Sequence, residues 1–240
     1  MKTIGIIGGT TWVSTVDYYK LLNQKINKAM GRNHSARVVL ISVNFQDVLT
    51  FKAEGREDAL RKLILDAANK LEYAGSECLL LGANTIHMMA GFIQERIGIP
   101  LIHIGEETAK VIAAKHLKKV ALLGTKVTME KDFYKNKLSE FGIETIIPEE
   151  SDREFINRSI FEEFSKEIFS NETRQEYTSI IAKLAKKGAE GVILGCTEIP
   201  LLLDQKDFDI PLFNTTEIHV DAAVAFALGG ITKEEQSAQA

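Results

Sequence analysis

Two short stretches of the chain match each other but differ at a residue that can carry out acid–base chemistry. Gly82-Ala83-Asn84 follows an apolar run that begins at Leu79, and Gly195-Cys196-Thr197 follows one that begins at Val192. A cysteine beside a helix N-terminus has a lowered pKa and serves as a thiolate. We therefore predict that Cys196 is a reactive thiol. Alanine at the matching position can neither accept nor donate a proton.

Polar residues at the ends of predicted strands could support Cys196. Glu198, two residues further on, and His219, in the last strand–helix unit, are candidates for tuning its pKa. Hydroxyls, amides and exposed N–H groups at strand-to-helix junctions suit a small carboxylate ligand. The alternative is that each Thr, Ser or Asn simply caps its helix. Four such clusters favour a ligand site: "GGTTWVST", "GANTIH", "GTKVT" and "GCTEI".

Several other chemistries have little support in the sequence. The "GGTT" stretch lacks the third glycine of a dinucleotide-binding turn, and the phosphate-binding pattern GxxxxGK[ST] is absent. The five histidines show neither HExxH nor clustered spacing with cysteine, so no metal site is predicted. Cys78 lies inside an apolar run, and we interpret it as a buried strand thiol.

The composition is that of an ordinary globular protein. The chain has 240 residues, of which 45% are hydrophobic and 26% charged, and a net charge of −4. No long block of Lys and Arg occurs, so we expect no nucleic-acid partner. No apolar run is long enough to span a bilayer, and the run after Lys2 is too short for a signal peptide. These features predict no membrane partner and a cytoplasmic location.

An internal repeat organises the elements that must position these residues. The segment from Thr3 resembles the one from Lys119, and the segment from Ile97 resembles the one from Phe208, with a near-constant offset in the same order. Within each half, short runs of Val, Ile and Leu alternate with helical periods, which predicts parallel sheets covered by helices. Ligands bind such sheets outside the carboxyl ends of the strands.

The pattern predicts eight strands and a set of helices between them. The helix from Arg56 is expected to stop at Gly75, and the helix from Gln175 at Gly188. The predicted strands are Thr3–Ile7, Val38–Val43, Cys78–Leu81, Leu101–Ile104, Val120–Leu123, Glu144–Ile147, Gly191–Leu194 and Leu212–Phe213. We predict a first α/β lobe from residues 1–105 and 211–228, a second from 106–210, and a disordered tail at 229–240.

The motifs taken together resemble the aspartate/glutamate racemase family. The set "GIIGG", "NT-x-H", "LLGT" followed by "TM", and "GCTEI" covers about residues 2–228 and is most similar to the broad-specificity and L-aspartate/L-glutamate types. The resemblance implies two pseudo-symmetric Rossmann-like α/β domains with parallel sheets and an active site in the cleft between them. It also implies a small amino acid or dicarboxylate as ligand, no cofactor and a homodimer.

In that family, two cysteines flank the α-carbon of the bound amino acid, one removing the α-proton and the other returning a proton to the opposite face. The resemblance assigns the second cysteine to Cys196 and the first to the position of Ala83. It further assigns substrate binding to Asn84, Thr85 and Thr197, with Thr10, Thr125 and Thr128 on loops that line the same pocket.

Ala83 excludes a symmetric two-thiol racemase and leaves three explanations open. The alanine is an engineered substitution that traps substrate, or it is natural and a water or the hydroxyl of Thr85 or Thr10 acts as a weak second acid. The third explanation is a changed function. One form of it is a single-cysteine decarboxylase of a malonate-type acid, and another is a non-catalytic amino-acid-binding protein.

A side-chain carboxylate needs a cation, and the sequence does not choose among Arg56, Lys126 and Lys166.

Overall fold

The computed structural model describes residues 1–229, which form two compact α/β units. The first unit comprises Met1–His103 and, among the described residues, 219–229, and the second comprises Ile104–Ile218. Every strand pairing in the described residues is parallel, and each unit contains one sheet. The predicted fold class, α/β with two parallel sheets, is confirmed.

The sheet of the first unit has β1 in the middle, in the order β2-β1-β3. All five residues of β1 are buried, because helices or loops cover both of its faces. The ladder aligns Ile4 with Val38 on one side and with Cys78 on the other. The strands are β1 (Ile4–Gly8), β2 (Val38–Ser42) and β3 (Cys78–Leu81).

The helices of the first unit cover this sheet with their apolar faces. In α3 the buried residues Leu60, Ile64, Ala67 and Leu71 recur at helical spacing, and the helix ends before Gly75, whose φ is +86°. The helices are α1 (Trp12–Met30), α2 (Phe45–Ala53), α3 (Glu57–Tyr73) and α4 (Ala90–Gln94), with a 3₁₀ helix at Thr85–Met89.

The sheet of the second unit repeats this order and adds one strand, giving β5-β4-β6-β7. The first strand of each unit therefore lies between its second and third strands, as expected for a duplicated pattern. Glycine is needed at the end of β6, because a Cβ on Gly195 would lie 2.6 Å from the Leu123 oxygen. The strands are β4 (Lys119–Gly124), β5 (Glu144–Ile146), β6 (Val192–Gly195) and β7 (Leu212–Asn214).

The helices of the second unit pack on both faces of its sheet. In α9 the buried residues Tyr177, Ile180, Ile181 and Leu184 face the core, and Gly188, with φ of +90°, follows the helix end. Two 3₁₀ helices occupy Phe164–Lys166 and Gln205–Asp207. The helices are α5 (Ile104–Ala114), α6 (Lys126–Glu130), α7 (Asp132–Ser139), α8 (Glu150–Glu162), α9 (Asn171–Lys186), α10 (Ile199–Leu202) and α11 (Thr215–Leu228), whose later part belongs to the first unit.

Two predictions about elements are wrong. The expected strand at Leu101–Ile104 is reduced to a single bridge between Leu79 and Leu101. The chain turns into α5 at Ile104, where Glu106 and Glu107 favour the first turn of a helix. The segment 211–218, predicted in the first lobe, belongs to the second unit, because β7 pairs with β6 through Val192 and Leu212.

The predicted tail at 229–240 lies outside the described residues apart from Gly229. None of the helices in residues 1–229 combines the length and the apolar character that a membrane crossing requires.

Candidate active site

The loops after β1 and β3 bring predicted site residues to one edge of the first sheet. β1 and β3 are neighbours, and the Gly82 N–H donates to the Ile7 carbonyl at 2.8 Å, which fixes the start of the β3 loop against the end of β1. Thr10 follows β1, and Ala83, Asn84 and Thr85 follow β3. The structure therefore gathers these four residues at the carboxyl edge of one sheet, as predicted.

The sharp exit from β1 requires a glycine at position 9. Gly9 has φ of +86°, and a Cβ there would lie 2.1 Å from the Val43 oxygen. Its N–H donates to Thr15 Oγ1 at 2.8 Å, which ties the turn to α1. Thr10 then sits between the strand and the helix, and its Oγ1 is shielded from solvent without a hydrogen-bond partner among residues 1–229.

Ala83 carries only a methyl group at the position that the resemblance assigns to a second thiol. The residue is half-buried and packs against the hydrophobic cluster that covers one face of the first sheet. Asn84 beside it is almost fully buried, and Thr85 begins the 3₁₀ helix. The carbonyl of Ala83 accepts a hydrogen bond from His87 Nδ1 at 2.9 Å. Position 83 therefore supplies a methyl group and a backbone carbonyl, but no side-chain group that can donate or accept a proton.

Three histidines of the first unit form a cluster that the sequence did not predict. The His87 ring makes edge contacts with His103 and His219, with centroids 4.9 Å and 5.5 Å apart. Burial lowers the pKa of His87 well below its usual range, and the charges of the other two histidines add to this effect. The spacing of His87 four residues after Ala83, one helical turn, is the signal that could have revealed its contact with the loop.

His219 is held by hydrogen bonds within the first unit. Its Nε2 donates to the Ile102 carbonyl at 2.7 Å, and its Nδ1 accepts from the Tyr18 hydroxyl at 2.8 Å. Burial lowers the pKa of His219 to about 4, so the ring is neutral at neutral pH. Both ring nitrogens are therefore engaged in hydrogen bonds within this unit.

The second unit gathers its predicted residues in the same way, at the carboxyl ends of β4 and β6. Thr125 caps α6, its Oγ1 accepting from the Thr128 N–H at 3.3 Å, and the two hydroxyl oxygens lie 3.1 Å apart. A Cβ on Gly195 would lie 3.3 Å from the Thr128 methyl carbon. Thr128 thus adjoins the backbone that leads directly into Cys196.

The centre of this second loop is a hydrogen-bonded group of three consecutive residues. Cys196 Sγ donates to Glu198 Oε2 at 3.0 Å, and Thr197 Oγ1 donates to the same oxygen at 3.0 Å. All three residues are buried, with exposed fractions of 8%, 5% and 3%. A thiol and a carboxylate in direct contact can exchange a proton without a water molecule between them. The predicted association of Glu198 with Cys196 therefore has a geometric basis.

The direction of the Cys196 pKa corrects the sequence prediction. Burial raises the pKa of the Cys196 thiol well above its usual value, and the negative charge and hydrogen bond of Glu198 raise it further. Hydrogen bonds from the backbone N–H groups of Thr197 and Glu198 act in the opposite direction but are weaker. The helix after this loop, α10, has only four residues and offers little dipole. Cys196 therefore rests as a thiol.

Cys78 behaves as predicted for a structural thiol. It is completely buried in β3, and burial together with the charge of Glu77 raises its pKa to about 12. Within residues 1–229 no three His, Cys, Asp or Glu side chains are arranged to hold a metal ion.

The three candidate cations have different surroundings. Arg56 pairs with Glu54 and lies over the ring of Phe51, while Lys126 pairs with Glu154 at 3.0 Å. Lys166 is the last residue of a 3₁₀ helix.

The comparisons with known proteins define the family. A model of the Asp/Glu/hydantoin racemase family matches residues 7–223, so the chain belongs to this family. It is 41% identical to a Yersinia pestis structure assigned to the Asp/Glu racemases, covering 95% of this chain and 100% of that chain with a TM-score of 0.88. An aspartate racemase homologue from Pyrococcus horikoshii is 36% identical, covering 95% and 99% with a TM-score of 0.83.

A named relative supports the same class of enzyme. The broad specificity amino-acid racemase RacX of Bacillus subtilis is 28% identical over 159 residues, which is 66% of this chain and 68% of that protein. The chain is thus an isomerase of the amino-acid racemase class. An arylmalonate decarboxylase structure matches at 12% identity and a TM-score of 0.52, covering 97% of this chain and 95% of that chain, which shows a likeness of fold alone.

Proposed function

We propose that this protein is a cofactor-independent racemase of acidic amino acids, aspartate or glutamate, in which Cys196 is the working thiol. The observation that carries the proposal is the direct hydrogen bond from Cys196 Sγ to Glu198 Oε2. Membership of the racemase family and the matched loops at Ala83 and Cys196 support it. Loss and return of a proton at the α-carbon need only an acid and a base held in place.

The Cys196–Glu198 pair can both return a proton to the α-carbon and remove one from it, but the first step is easier than the second. When Sγ returns a proton to the α-carbanion, the S–H bond breaks and a C–H bond forms, leaving a thiolate beside Glu198. When Sγ removes the α-proton, its own proton must first move to Glu198 Oε2, which already accepts the hydrogen bond. Because the raised pKa makes the thiol the resting form, returning a proton is the easier step.

Position 83 carries no thiol, so the second acid–base group that the resemblance implies is missing from this chain. A water or a hydroxyl such as that of Thr85 or Thr10 would have to replace it, and an unassisted hydroxyl is a poor proton acceptor at neutral pH. A weak second acid–base group slows racemisation in both directions, because the two enantiomers interconvert by the same path. We propose a slow racemase rather than a symmetric two-thiol one.

Exchange of the α-proton tests this proposal directly. Each enantiomer of aspartate and glutamate is incubated with the protein in D₂O, and loss of the α-proton signal is followed by ¹H NMR. We expect exchange for at least one enantiomer, and Cys196→Ser should abolish it. Binding measured by calorimetry should change less than about tenfold, or about 1.4 kcal/mol. A wild-type protein that exchanges neither amino acid would refute the proposal.

Proton exchange, CO₂ release and calorimetric binding together separate the alternatives. A single-cysteine decarboxylase is favoured by the matched loops, of which one carries Cys196 and the other only Ala83. It would release CO₂ from a malonate-type acid and leave aspartate unexchanged. A non-catalytic binding protein would bind an acidic amino acid in calorimetry with neither exchange nor CO₂ release.

A further inference from the structure

The start of α11 holds a buried hydroxyl that the proposed mechanism has not used. Asn214 Oδ1 caps the helix by accepting from the N–H groups of Thr216 and Glu217 at 3.1 and 3.2 Å, and Thr215 Oγ1 donates to the Leu194 carbonyl at 2.8 Å. Thr216 is only 3% exposed, yet its Oγ1 makes no hydrogen bond to any described residue. Buried hydroxyls are normally paired, so this exception needs an explanation.

The strand register places the start of α11 beside the loop that carries Cys196. β6 and β7 are parallel neighbours in which Leu194 aligns with Asn214. Two residues further along each chain are Cys196 and Thr216. The bond from Thr215 to the Leu194 carbonyl keeps the two chains together beyond the last ladder pair. Adjacent strands lie about 4.8 Å apart, so the segments that carry Thr216 and Cys196 leave the sheet side by side.

Other threonine hydroxyls at this edge are engaged inside the protein. Thr197 donates to Glu198, and the hydroxyls of Thr125 and Thr128 lie within hydrogen-bond distance of each other. Thr216 lacks such a bond. An unpaired buried polar group lowers stability unless a ligand supplies its partner. The position beside Cys196 indicates which ligand that is.

We propose that Thr216 is a substrate-binding residue whose hydroxyl hydrogen-bonds to the amino or carboxylate group on the α-carbon of the bound amino acid. The inference rests on the proposed function, because Cys196 must reach the α-carbon and the segment that carries Thr216 leaves the sheet beside that of Cys196. The hydroxyl is covered in the free protein. Rotation about the Cα–Cβ bond, for which threonine in helices has two favoured settings, presents it to a ligand without moving the backbone.

The chain offers a matched control for this test. Thr145 in β5 also has a buried Oγ1 without a partner among the described residues. It aligns with Val120 near the start of β4, away from the carboxyl edge that carries Cys196. Thr216→Val and Thr145→Val therefore make the same chemical change, and Thr216→Ser keeps the hydroxyl at the tested position.

Calorimetric titration with L-aspartate and L-glutamate measures the outcome. We expect Thr216→Val to weaken the binding of both amino acids by about tenfold or more, equivalent to about 1.4 kcal/mol. Both losses should be similar, because the two ligands share their α-carbon groups. Thr216→Ser and Thr145→Val should bind within about twofold of the wild type, and neither valine variant should lower the melting temperature of the free protein.

The outcomes separate this inference from the proposed function. Wild-type affinity in Thr216→Val overturns the inference and leaves the racemase proposal intact. An equal loss in Thr216→Ser, or a loss confined to one amino acid, also overturns it, because the effect would then come from packing or from the side-chain carboxylate. A wild-type protein that neither binds nor exchanges either amino acid refutes the proposed function and this inference together.

Discussion

Replacing Glu198 by glutamine tests whether the carboxylate controls the protonation of Cys196. Glutamine has nearly the same shape, but it removes the negative charge beside Sγ and weakens the acceptor at 3.0 Å. Both of these raise the pKa of the Cys196 thiol in the wild type. The Glu198→Gln variant should therefore hold more thiolate at a given pH, although burial continues to oppose ionisation.

The size of the effect follows from the hydrogen bond. A hydrogen bond to a charged group contributes about 1.5–3 kcal/mol, so losing it raises the thiolate fraction by about 10- to 150-fold. A thiolate of lower pKa is also a weaker nucleophile, with a Brønsted coefficient of about 0.4–0.5. The net alkylation rate at neutral pH should rise by about 3- to 20-fold.

The assay is iodoacetamide labelling from pH 6 to pH 9, with the Cys196 and Cys78 peptides quantified by mass spectrometry. Cys78 serves as an internal reference, because it is fully buried in β3. Glu163→Gln is the matched control, since Glu163 accepts a hydrogen bond from Thr173 Oγ1 at 2.6 Å in the same unit. It should leave the labelling of Cys196 unchanged.

Catalysis in Glu198→Gln should move in the opposite direction from labelling. The variant lacks the group that receives the thiol proton, and general acid–base steps contribute about 10²–10⁴-fold. Exchange of the α-proton should therefore fall by about that factor while alkylation accelerates. If alkylation of Cys196 is unchanged or slower, the carboxylate does not hold the proton on sulfur and the reasoning is wrong.

Three further predictions concern Ala83, His219 and Gly9. Ala83→Cys should raise two-way racemisation of aspartate or glutamate by about 10²–10⁴-fold. Chiral chromatography started from each enantiomer measures this, and a folded variant that converts neither enantiomer would contradict the prediction. The folded pKa of His219, about 4, lies below its unfolded value of 6.5, so protons favour the unfolded chain as the pH falls through this window. The urea unfolding free energy of His219→Gln should therefore fall by about 2 kcal/mol less between pH 7 and pH 5 than that of the wild type; equal losses would exclude a proton effect at this ring. In the same assay, Gly9→Ala should lose about 2 kcal/mol more unfolding free energy than Gly31→Ala. Both glycines have positive φ, but a Cβ at Gly9 would lie 2.1 Å from a backbone atom, whereas a Cβ at Gly31 would have nothing within 4 Å. Equal losses would show that the turn at Gly9 relaxes.

Much of the fold could be predicted because its signals are local. The apolar run at Ile4 predicts β1, and the glycines at 75 and 188 mark the ends of α3 and α9. The strand predicted at Leu101 fails because only two backbone bonds join it to Leu79 before α5 begins. Extended preference alone does not determine how many ladder bonds a short apolar run will form.

The candidate site could be predicted in its residues but not in its electrostatics. Cys196 and Glu198 are adjacent in sequence, so their association is visible there. The direction of the thiol pKa depends on burial and on the carboxylate pointing toward Sγ, which are three-dimensional facts. The unpaired hydroxyl of Thr216 could not be predicted from the sequence either, since a threonine at the start of a helix is ordinarily interpreted as a cap.

The bond between Tyr18 and His219 has a consequence for how the chain is made. These residues are 201 positions apart, and both lie in the first unit. At about 5–20 residues per second, a ribosome needs about 10–40 s to go from one to the other. The whole second unit, a single continuous segment, leaves the ribosome in that interval. The second unit is therefore synthesised in full before His219, whereas the first unit cannot pair its buried tyrosine until His219 has followed.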